Sequence, residues 1–463
     1  MTHFIKRSAT EIRTLLAKRA IGPVEVVEAA LSQIEEHNPT INAIVTPNER
    51  ALDDARALEK RLSESADLPL FGLPVGIKDV TPVAGLRTTF GSPLFSDYVP
   101  QEDALVVKRL RKAGAIIMGK TNCPEFAAGG NTWNDVFGRT CNPWNTEKSA
   151  GGSTGGGASA LATGMIALAE GTDLGGSLRI PASFCGVVGI RPSAGLIPTY
   201  PSTYLWDTYQ VTGPMGRMVE DIALALQALS GPSAVSPVYQ PTAGRDFLTA
   251  ARNGDVSGRK IAYCKDIAGI GIDPEVESVC RKAAFEMTQA GAEIEEIDLD
   301  LSFMRKPFLA FRGYWFVAQL GDHLDKIDSF GVNVSNNMKA GLKVTPEQLG
   351  EAEKARARLW HIFEDFFQQY DQLLTPCMAV PPFPVEQNYP ETIAGKKMAT
   401  YIDWIAPTFV LSMTSLPVAC VPAGLDEGGL PVGMQIVGRP IAEEEVLGTA
   451  KVFQTANDIG LPV

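Results

Sequence analysis

The sequence predicts an α/β fold that forms one large domain. Short apolar stretches typical of strands alternate with stretches of helical periodicity along most of the 463 residues, and this alternation is the pattern of α/β proteins. Hydrophobic residues make up 45% of the chain, which is ample for a large buried core. No internal repeat and no clear linker divides the sequence. We therefore expect a single domain over residues 1–463, with inserts.

Residues 8–63 are predicted to form N-terminal helices. Ser8 begins a capping box ahead of the first apolar stripe. Pro23 suits the first turn of a second helix, and Asn38-Pro39 is expected to end that helix. The apolar faces of these helices are typical of core packing, and a homodimer contact is the alternative.

A short buried strand is predicted at residues 75–80, and it contains Lys78. Lysine is rarely buried without a partner. One interpretation is that Lys78 pairs with the neighbouring Asp79 or extends its ammonium group to water. The other is that burial lowers its pKa, so that a neutral amine can act as a base. The residues alone leave both interpretations open.

Gly114 and the run Gly119-Lys120-Thr121 match the spacing of a phosphate-binding P-loop. The four residues between the two glycines resemble a buried strand, a helix precedes the pattern, and Pro124 follows it. A P-loop has its strand before the first glycine and its helix after the lysine. This order disfavours an ATP-binding protein, which stays as the alternative from another functional class.

The second half of the chain continues the alternation. Strands are predicted at residues 260–263, 292–297, 373–376, 416–422 and 431–438, and helices at 219–229, 274–289 and 443–456. Residues 303–370 are mostly helical and carry an aromatic group between Phe308 and Phe316. Core packing is the default for these aromatic residues, and a helical insert at about 300–370 that roofs a substrate pocket is the alternative.

Two glycine-rich turns each present a serine. The turns are Gly151-Gly152-Ser153-Thr154-Gly155-Gly156-Gly157 and Gly175-Gly176-Ser177, and they flank a run of small apolar residues. Glycine lets other groups approach the backbone closely, and the N–H groups of such turns can bind developing negative charge. A hydroxyl among them indicates nucleophilic acyl chemistry. Two surface loops are the alternative.

Histidine, the usual partner of a nucleophilic serine, is scarce. The sequence has four, and none neighbours either glycine turn. Distant residues can meet in a fold, but this scarcity disfavours a Ser-His-Asp triad and directs the search for a base to another residue type. The four are His3, His37, His323 and His361.

The net charge and the cysteine content limit which binding partners and which cellular compartment we expect. A net charge of −12 argues against nucleic acid and anionic membranes as partners. The seven cysteines are scattered without a C-x-x-C pair, so we expect neither a disulfide framework nor a zinc or iron–sulfur site. The N-terminus lacks the apolar region of a signal peptide, and no apolar run is long enough to span a bilayer. A soluble cytoplasmic protein is expected.

Long motifs around the two glycine turns resemble the amidase signature family. Shorter motifs extend the resemblance from about residue 8 to 460, and the long central signature is highly specific. The motifs are residues 151–156 (GGSTGG), 171–182 (GTDLGGSLRIPA), 184–192 (FCGVVGIRP), 72–79 (GLPVGIKD), 119–122 (GKTN), 142–144 (NPW) and 430–435 (LPVGMQ).

The resemblance implies an amide hydrolase whose mixed, mostly parallel central sheet is covered by helices on both faces. It assigns Ser177 as the nucleophile, Ser153 as a bridging serine that follows a cis peptide bond, and Lys78 as the terminal base. It implies a small-molecule amide substrate, no metal and no organic cofactor. Its other assignments are the backbone N–H groups of Leu174, Gly175, Gly176 and Ser177 for an oxyanion hole, Ala127, Ala128 and Gly129 for the substrate pocket, and Thr154, Asp173 and Arg179 for support of the site.

The residue types give these roles a chemical rationale. The hydroxyl of Ser177 must lose a proton to attack a carbonyl carbon, and a neutral Lys78 can accept that proton through Ser153. The same relay can then protonate the leaving amine, which amide cleavage requires. The expected intermediate is an acyl-enzyme on Ser177.

Other functions remain open within and beyond the family. The glutamine-hydrolysing subunit of a tRNA-dependent amidotransferase would need a partner chain. The small pocket segment and the region around Trp404 favour a free-standing amidase instead. A non-catalytic binding protein is disfavoured because Lys78, Ser153 and Ser177 are all present. The sequence does not distinguish aliphatic from aryl amides, nor amides from ureas, carbamates or hydrazides.

Overall fold

The computed structural model describes residues 4–65 and 67–462. In these residues the chain forms fourteen α-helices and fifteen β-strands, numbered in chain order. The helices are α1 (Ala9–Ala17), α2 (Pro23–Ile41), α3 (Ala51–Glu59), α4 (Leu105–Lys112), α5 (Gly155–Ala162), α6 (Arg179–Cys185), α7 (Val219–Leu229), α8 (Phe247–Arg252), α9 (Pro274–Glu286), α10 (Arg305–Leu320), α11 (Val332–Gly341), α12 (Pro346–Phe366), α13 (Ala406–Ser412) and α14 (Glu443–Ala456). The strands are β1 (Ile44–Pro47), β2 (Pro74–Lys78), β3 (Ile116–Thr121), β4 (Trp133–Asn134), β5 (Gly138–Arg139), β6 (Leu168–Asp173), β7 (Val188–Arg191), β8 (Val211–Gly216), β9 (Lys260–Tyr263), β10 (Glu293–Glu296), β11 (Gln372–Pro376), β12 (Thr392–Ile393), β13 (Lys396–Lys397), β14 (Val418–Leu425) and β15 (Pro431–Val437).

Eleven strands form one mixed sheet in the order β1–β3–β2–β6–β8–β7–β14–β15–β11–β9–β10. Parallel pairs form two blocks, β3–β2–β6 and β11–β9–β10. Among the described strands, the other six neighbouring pairs of this sheet are antiparallel. The sheet is mixed, as expected, but parallel pairs do not dominate it. One reason is that β14 and β15 form a hairpin over a short connection, whereas a parallel pair needs a long crossover.

Helices cover both faces of the sheet. Every residue of β2, β3, β6, β7, β8, β11 and β15 is buried, as in strands whose two faces are both packed. Helix α5 packs on β2, β6 and β8, helix α6 on β7, β14 and β15, and helices α9 and α14 on β14 and β15. The buried apolar residues form one continuous core. The predicted α/β class and the single domain are confirmed.

The second helix ends later than the sequence predicts. It continues through Asn38-Pro39 to Ile41. Pro39 lies in the last turn of the helix, where its missing N–H group removes only one helical hydrogen bond. The Asn38 Oδ1 accepts hydrogen bonds from the N–H groups of Ala43 and Ile44, at 2.8 and 2.9 Å. These bonds hold the turn into β1, an edge strand that the sequence does not indicate.

The region at residues 303–370 is mostly helical, as predicted. Helices α10, α11 and α12 pack on one another, and α10 buries the aromatic side chains Phe308, Phe311, Trp315 and Phe316. The longest described helix, α12, has 21 residues. No described helix combines the length and the apolar character needed to cross a membrane.

The parallel block β3–β2–β6 brings three strand ends to one edge of the sheet. Strand β2 ends at Lys78, β3 at Thr121 and β6 at Asp173. Lys78 is paired in register with Thr121, and Ile77 with Glu170. Ligands of α/β proteins commonly bind at the carboxyl ends of parallel strands. The block therefore positions the candidate residues of β2 and β6 side by side at such an edge.

Candidate active site

Lys78 is fully buried and contacts Ser153. Its Nζ lies 2.7 Å from Ser153 Oγ. Burial lowers the pKa of Lys78 to about 8, against the opposing effect of nearby acidic groups. The neighbouring Asp79 does not pair with it, because the Asp79 carboxylate accepts from the backbone N–H and the hydroxyl of Thr89. Of the two interpretations of Lys78, the geometry favours the desolvated amine.

Thr172 supplies the remaining described contacts of the Lys78 amine. Its Oγ1 lies 3.1 Å and its carbonyl oxygen 3.4 Å from Nζ. No motif in the sequence singles out this residue. The signal that could have found it is its place at the end of β6, which is parallel to β2 and follows it in the sheet. The hydroxyl and carbonyl oxygens hold the amine in one orientation toward Ser153.

Ser177 lies in the turn between β6 and α6. Its side chain is half-buried, and within the described part of the chain its hydroxyl makes no hydrogen bond. Its carbonyl oxygen accepts from the N–H group of Thr154 at 3.2 Å, so the residue after Ser153 is bonded to the residue that carries the candidate nucleophile. The Gly152–Ser153 peptide bond is cis, the conformation that the resemblance implies.

The Asp173 carboxylate organises the Ser177 turn. It accepts from the N–H groups of Gly176 and Leu178, at 2.8 and 3.2 Å, and from the guanidinium of Arg179 in a two-pronged contact at 3.0 Å. Arg191 Nη1 lies 3.4 Å from the same carboxylate. Burial alone would raise the pKa of Asp173, but the two arginines hold it well below its ordinary value. The turn is therefore fixed on an ionised, fully buried carboxylate.

Three backbone N–H groups of this turn remain available for an anion. Those of Leu174, Gly175 and Ser177 have no hydrogen-bond acceptor among the described residues. The N–H group of Gly176 donates to Asp173 Oδ1, so its assignment to the oxyanion hole is corrected. Gly176 is still required in the turn, because it has a φ of +123° and a Cβ there would collide with the Thr408 side chain.

The segment at residues 127–129, which the resemblance assigns to the substrate pocket, packs on the Ser153 turn through Gly129. A Cβ at Gly152 would lie 2.9 Å from the carbonyl oxygen of Gly129, so only glycine permits this approach. The resemblance assigns Thr154 to support of the site. Its backbone N–H group donates a hydrogen bond to the carbonyl oxygen of Ser177. Its buried Oγ1 has no partner among the described residues.

A cavity of about 530 Å³ lies beside the candidate catalytic residues. It reaches Thr172, whose hydroxyl contacts Lys78, and Ala127 forms part of its wall. Lys78, Ser153 and Ser177 are not part of that wall, and neither are Ala128 and Gly129. Ala128 and Gly129, which the resemblance assigns to the substrate pocket, lie outside this wall: the Ala128 carbonyl accepts from Asn333, and the Gly129 carbonyl oxygen faces Gly152 of the Ser153 turn.

The wall of the cavity is mainly apolar. Among the described residues that line the cavity there is no aspartate, glutamate, lysine or arginine, and His323 is the single histidine. Trp315 and Leu320 of the 303–370 region also contribute. Aromatic side chains contribute to the wall, together with threonine, serine and glutamine side chains. Several of the aromatic rings contact each other, for example Phe90 and Phe126 with ring centroids 5.3 Å apart. The aromatic residues of the wall are Phe90, Phe95, Tyr98, Phe126, Tyr200 and Trp315.

The lysine of the P-loop-like pattern lies in the sheet. Lys120 belongs to β3 and is fully buried. Its Nζ contacts the carbonyl oxygen of Thr81 and, at 3.1 Å, the hydroxyl of Thr88. A strand paired on both sides with β1 and β2 has no free row of N–H groups to cradle a phosphate. The alternative of an ATP-binding loop at this segment is wrong.

The chain resembles known amide-cleaving proteins over almost its entire length. A family model described as Amidase matches residues 25–447. The acylamidase of Rhodococcus erythropolis is 36% identical over 459 residues, which cover 96% of this chain and 94% of that protein. A glutamyl-tRNA(Gln) amidotransferase subunit of Moorella thermoacetica is 32% identical over 483 residues, covering 97% and 96%.

A solved structure supports the same relationship. The crystal structure of a bacterial aryl acylamidase of the amidase signature enzymes matches with a TM-score of 0.90 and 29% identity, covering 97% of this chain and 96% of that one. With the family model spanning most of the sequence and these relatives aligned nearly end to end, the chain belongs to the amidase signature family of carbon–nitrogen hydrolases.

Proposed function

We propose that the protein is an acylamidase that hydrolyses small neutral amides bearing an apolar or aromatic group, through an acyl-enzyme on Ser177. The observation that carries this proposal is the aromatic cavity of about 530 Å³ that ends at Thr172, beside the buried amine of Lys78. Pockets of this size and lining bury most of a small organic ligand. The names of the acylamidase and aryl acylamidase relatives agree with such a substrate.

In the proposed first step, Ser177 Oγ attacks the carbonyl carbon of the amide. Its proton passes to Ser153 Oγ, and the Ser153 proton passes to the neutral Lys78 amine, which lies 2.7 Å away. The carbonyl oxygen becomes an oxyanion, and the free N–H groups of Leu174, Gly175 and Ser177 stabilise it.

The tetrahedral intermediate then collapses. The C–N bond breaks, and the leaving nitrogen receives a proton from Ser153, which Lys78 replaces. The remaining acyl-enzyme on Ser177 is hydrolysed when a water gives its proton to the same relay and attacks the ester carbon. The C–O bond to Ser177 then breaks, and the relay returns the proton to Ser177 Oγ. The products are a carboxylic acid and an amine, and Lys78 returns to its neutral form.

Glutamine hydrolysis is the second candidate activity, because the amidotransferase relative is almost as similar to this chain as the acylamidase. Glutamine carries an ammonium and a carboxylate, and a binding site for it needs charged partners for both. The cavity wall offers no Asp, Glu, Lys or Arg among the described residues. This absence favours a neutral amide over glutamine.

A panel of amides would test the proposal. Purified protein is incubated with acetanilide-like aryl amides, aliphatic amides and glutamine, and the released amine or ammonia is measured. We expect turnover of amides with an apolar group and none in Ser177→Ala, with a loss of about 10⁴-fold or more. Unchanged turnover in Ser177→Ala would overturn the mechanism. Glutamine as the best substrate, together with a co-purifying second protein chain, would instead support the amidotransferase function.

A further inference from the structure

Glu170 is a buried carboxyl group that interacts electrostatically with two buried lysines, Lys120 and Lys78. Its side chain is 2% exposed. Ile77 of β2 is paired in register with Glu170 of β6 on one side and with Lys120 of β3 on the other. Its Oε2 accepts the backbone N–H of Lys78 at 3.2 Å, and its Oε1 accepts the hydroxyl of Thr81 at 2.9 Å. The carbonyl oxygen of Thr81 in turn accepts from Lys120 Nζ.

We propose that Glu170 is a positioning residue for the catalytic base: through its hydrogen bonds to the Lys78 backbone and to Thr81 it fixes the strand end that carries Lys78, and it places a buried carboxyl group beside that strand end. The inference rests on the proposed function, in which Lys78 receives the Ser177 proton. It assigns a role to a residue that touches neither the substrate nor the reacting atoms.

The hydrogen bonds of Glu170 explain the positioning. Lys78 is the last residue of β2, and a backbone bond to a neighbouring side chain holds its main chain where the strand pairing ends. The same carboxylate anchors Thr81, which lines the cavity. One buried group therefore couples the location of the amine to the edge of the substrate cavity.

The ionised form of Glu170 explains the tuning. Burial raises the pKa of Glu170, while the hydrogen bond from Thr81 and the charges of Lys120 and Lys78 favour its carboxylate form. Burial strongly favours the neutral amine of Lys78, and Glu170 opposes that effect by favouring the ammonium form. A nearby carboxylate lowers the cost of forming an ammonium in a buried site, and Asp173 acts on Lys78 in the same sense. Lys120 also interacts with Glu170, so the negative charge of Glu170 stabilises the charged forms of both lysines.

Several other titratable groups face this cluster and are common to all variants considered below. Burial raises the pKa values of Asp79 and Cys123, both of which interact with Lys120. The groups facing Lys78, Glu170 or Lys120 from the neighbouring strands and loops are Asp79, Asp103, Cys123 and Asp173.

The test measures how fast Ser177 reacts with a fluorophosphonate as a function of pH. Ser177 Oγ attacks phosphorus, fluoride leaves, and the hydroxyl proton passes to Lys78, so the rate needs no knowledge of the natural substrate. The acid limb of the profile reports the pH at which Lys78 loses its proton. Failure of the wild-type protein to be labelled at Ser177 would reject the proposed function itself, whereas labelling without the shifts below would reject only the role of Glu170.

Glu170→Gln removes the charge but keeps the shape. Its amide oxygen can accept from the Lys78 N–H group, and its amide nitrogen can donate to the Thr81 hydroxyl, which reverses the direction of that bond. We expect its acid limb to move about one pH unit toward lower pH, because the Lys78 ammonium loses a stabilising charge. The plateau rate at high pH should fall about threefold, because the base becomes weaker. Glu443→Gln is the control for loss of a buried carboxylate elsewhere: Glu443 is also fully buried, accepts the N–H group of Ser193 and pairs with Arg245 at 2.6 Å. This variant should leave both features unchanged.

Lys120→Met gives a second measurement of opposite sign. Loss of a neighbouring positive charge favours the Lys78 ammonium, so the acid limb should move toward higher pH. Melting temperatures identify which variants are folded, and either folded variant decides the question. A lowered plateau with an unmoved limb would mean that Glu170 has only a structural role, and an equal shift in Glu443→Gln would also overturn the proposal.

Discussion

Lys78 Nζ lies 2.7 Å from Ser153 Oγ, and neither side chain is exposed to solvent. The described contacts of the amine are oxygens of hydroxyl and carbonyl groups, all of which can accept from an ammonium, and the hydroxyls can also donate to a neutral amine. The site therefore accommodates both protonation states without rearrangement. This property suits a group that takes up and returns a proton in each catalytic cycle.

The activity should rise with pH through the range around pH 8. Burial lowers the pKa of Lys78 to about 8, and the proposed base acts in its neutral form, which predominates above that value. We expect the acid limb of log kcat/KM to have unit slope and a midpoint near 8. The measurement is the pH dependence of amide hydrolysis at low substrate concentration. A midpoint at about 4, typical of a carboxylate, would contradict the assignment of Lys78.

Thr172→Val should weaken catalysis through the orientation of the base. The substitution keeps the size of the side chain but removes the hydroxyl that lies 3.1 Å from Lys78 Nζ. Loss of one hydrogen bond to a buried amine costs about 1–3 kcal/mol, which corresponds to a fall in kcat of about 5- to 150-fold. Steady-state kinetics would measure it.

Thr212→Val is the matched control for this change. Thr212 is paired in register with Thr172 and lines the same cavity, but its hydroxyl contacts Thr199 instead of the lysine. It should change kcat less than Thr172→Val does. Equal losses in the two variants would indicate that the cavity wall, and not the contact to Lys78, matters.

The sequence predicts the residues of this candidate site better than it predicts their surroundings. Ser153 and Ser177 are recognisable because glycine-rich turns are visible in the sequence, and Lys78 because a lysine inside an apolar strand is conspicuous. The central strands β6, β7 and β8 are not recognisable in this way. Their residues include glycine and proline, for example Pro214 opposite Glu170, and they lack the alternation that marks a strand exposed on one face.

The cavity could not be predicted from the sequence, for a different reason. Its wall combines Phe90, Phe126, Tyr200 and Trp315, which are far apart in the chain and carry no common pattern. The family resemblance implies a pocket at residues 127–130, but Gly129 and Gly130 pack closely against Gly152 of the Ser153 turn. Only the three-dimensional arrangement separates side chains that line a cavity from those that fill a contact.

Asp173→Asn should destabilise the protein strongly. The change removes the charge that compensates Arg179 and Arg191, both of which are fully buried. Breaking a buried ion pair by removing one partner costs about 3–5 kcal/mol, because a buried charge is left unpaired. Urea unfolding, followed by circular dichroism, would measure the loss of stability.

Asp371→Asn provides the comparison for Asp173. Asp371 pairs with Arg439 at 2.8 Å, but both side chains are partly exposed, at 31% and 41%. Exposed pairs of this kind contribute about 0–1 kcal/mol. A similar loss of stability in the two variants would show that the charge balance around Asp173 is not what holds the Ser177 turn.

Ala127→Leu should reduce the space for the apolar part of the substrate. Ala127 forms part of the cavity wall, and a leucine there would project additional methyl groups into a cavity of about 530 Å³. We expect KM for a bulky aryl amide to rise about tenfold, in line with the energy of a few buried methylene groups, while a small amide such as acetamide is affected little. The ratio of kcat/KM values for the two substrates is the quantity to measure.

The control for Ala127→Leu is the same substitution away from the cavity. Ala228 lies at the end of α7, is only partly buried and does not line this cavity, so Ala228→Leu should leave the substrate ratio unchanged. If Ala127→Leu slowed both substrates equally, the change would have disturbed the neighbouring Ser153 turn instead of the cavity. If it altered neither, the substrate would have to bind elsewhere, and the aromatic cavity would lose its place in the proposed function.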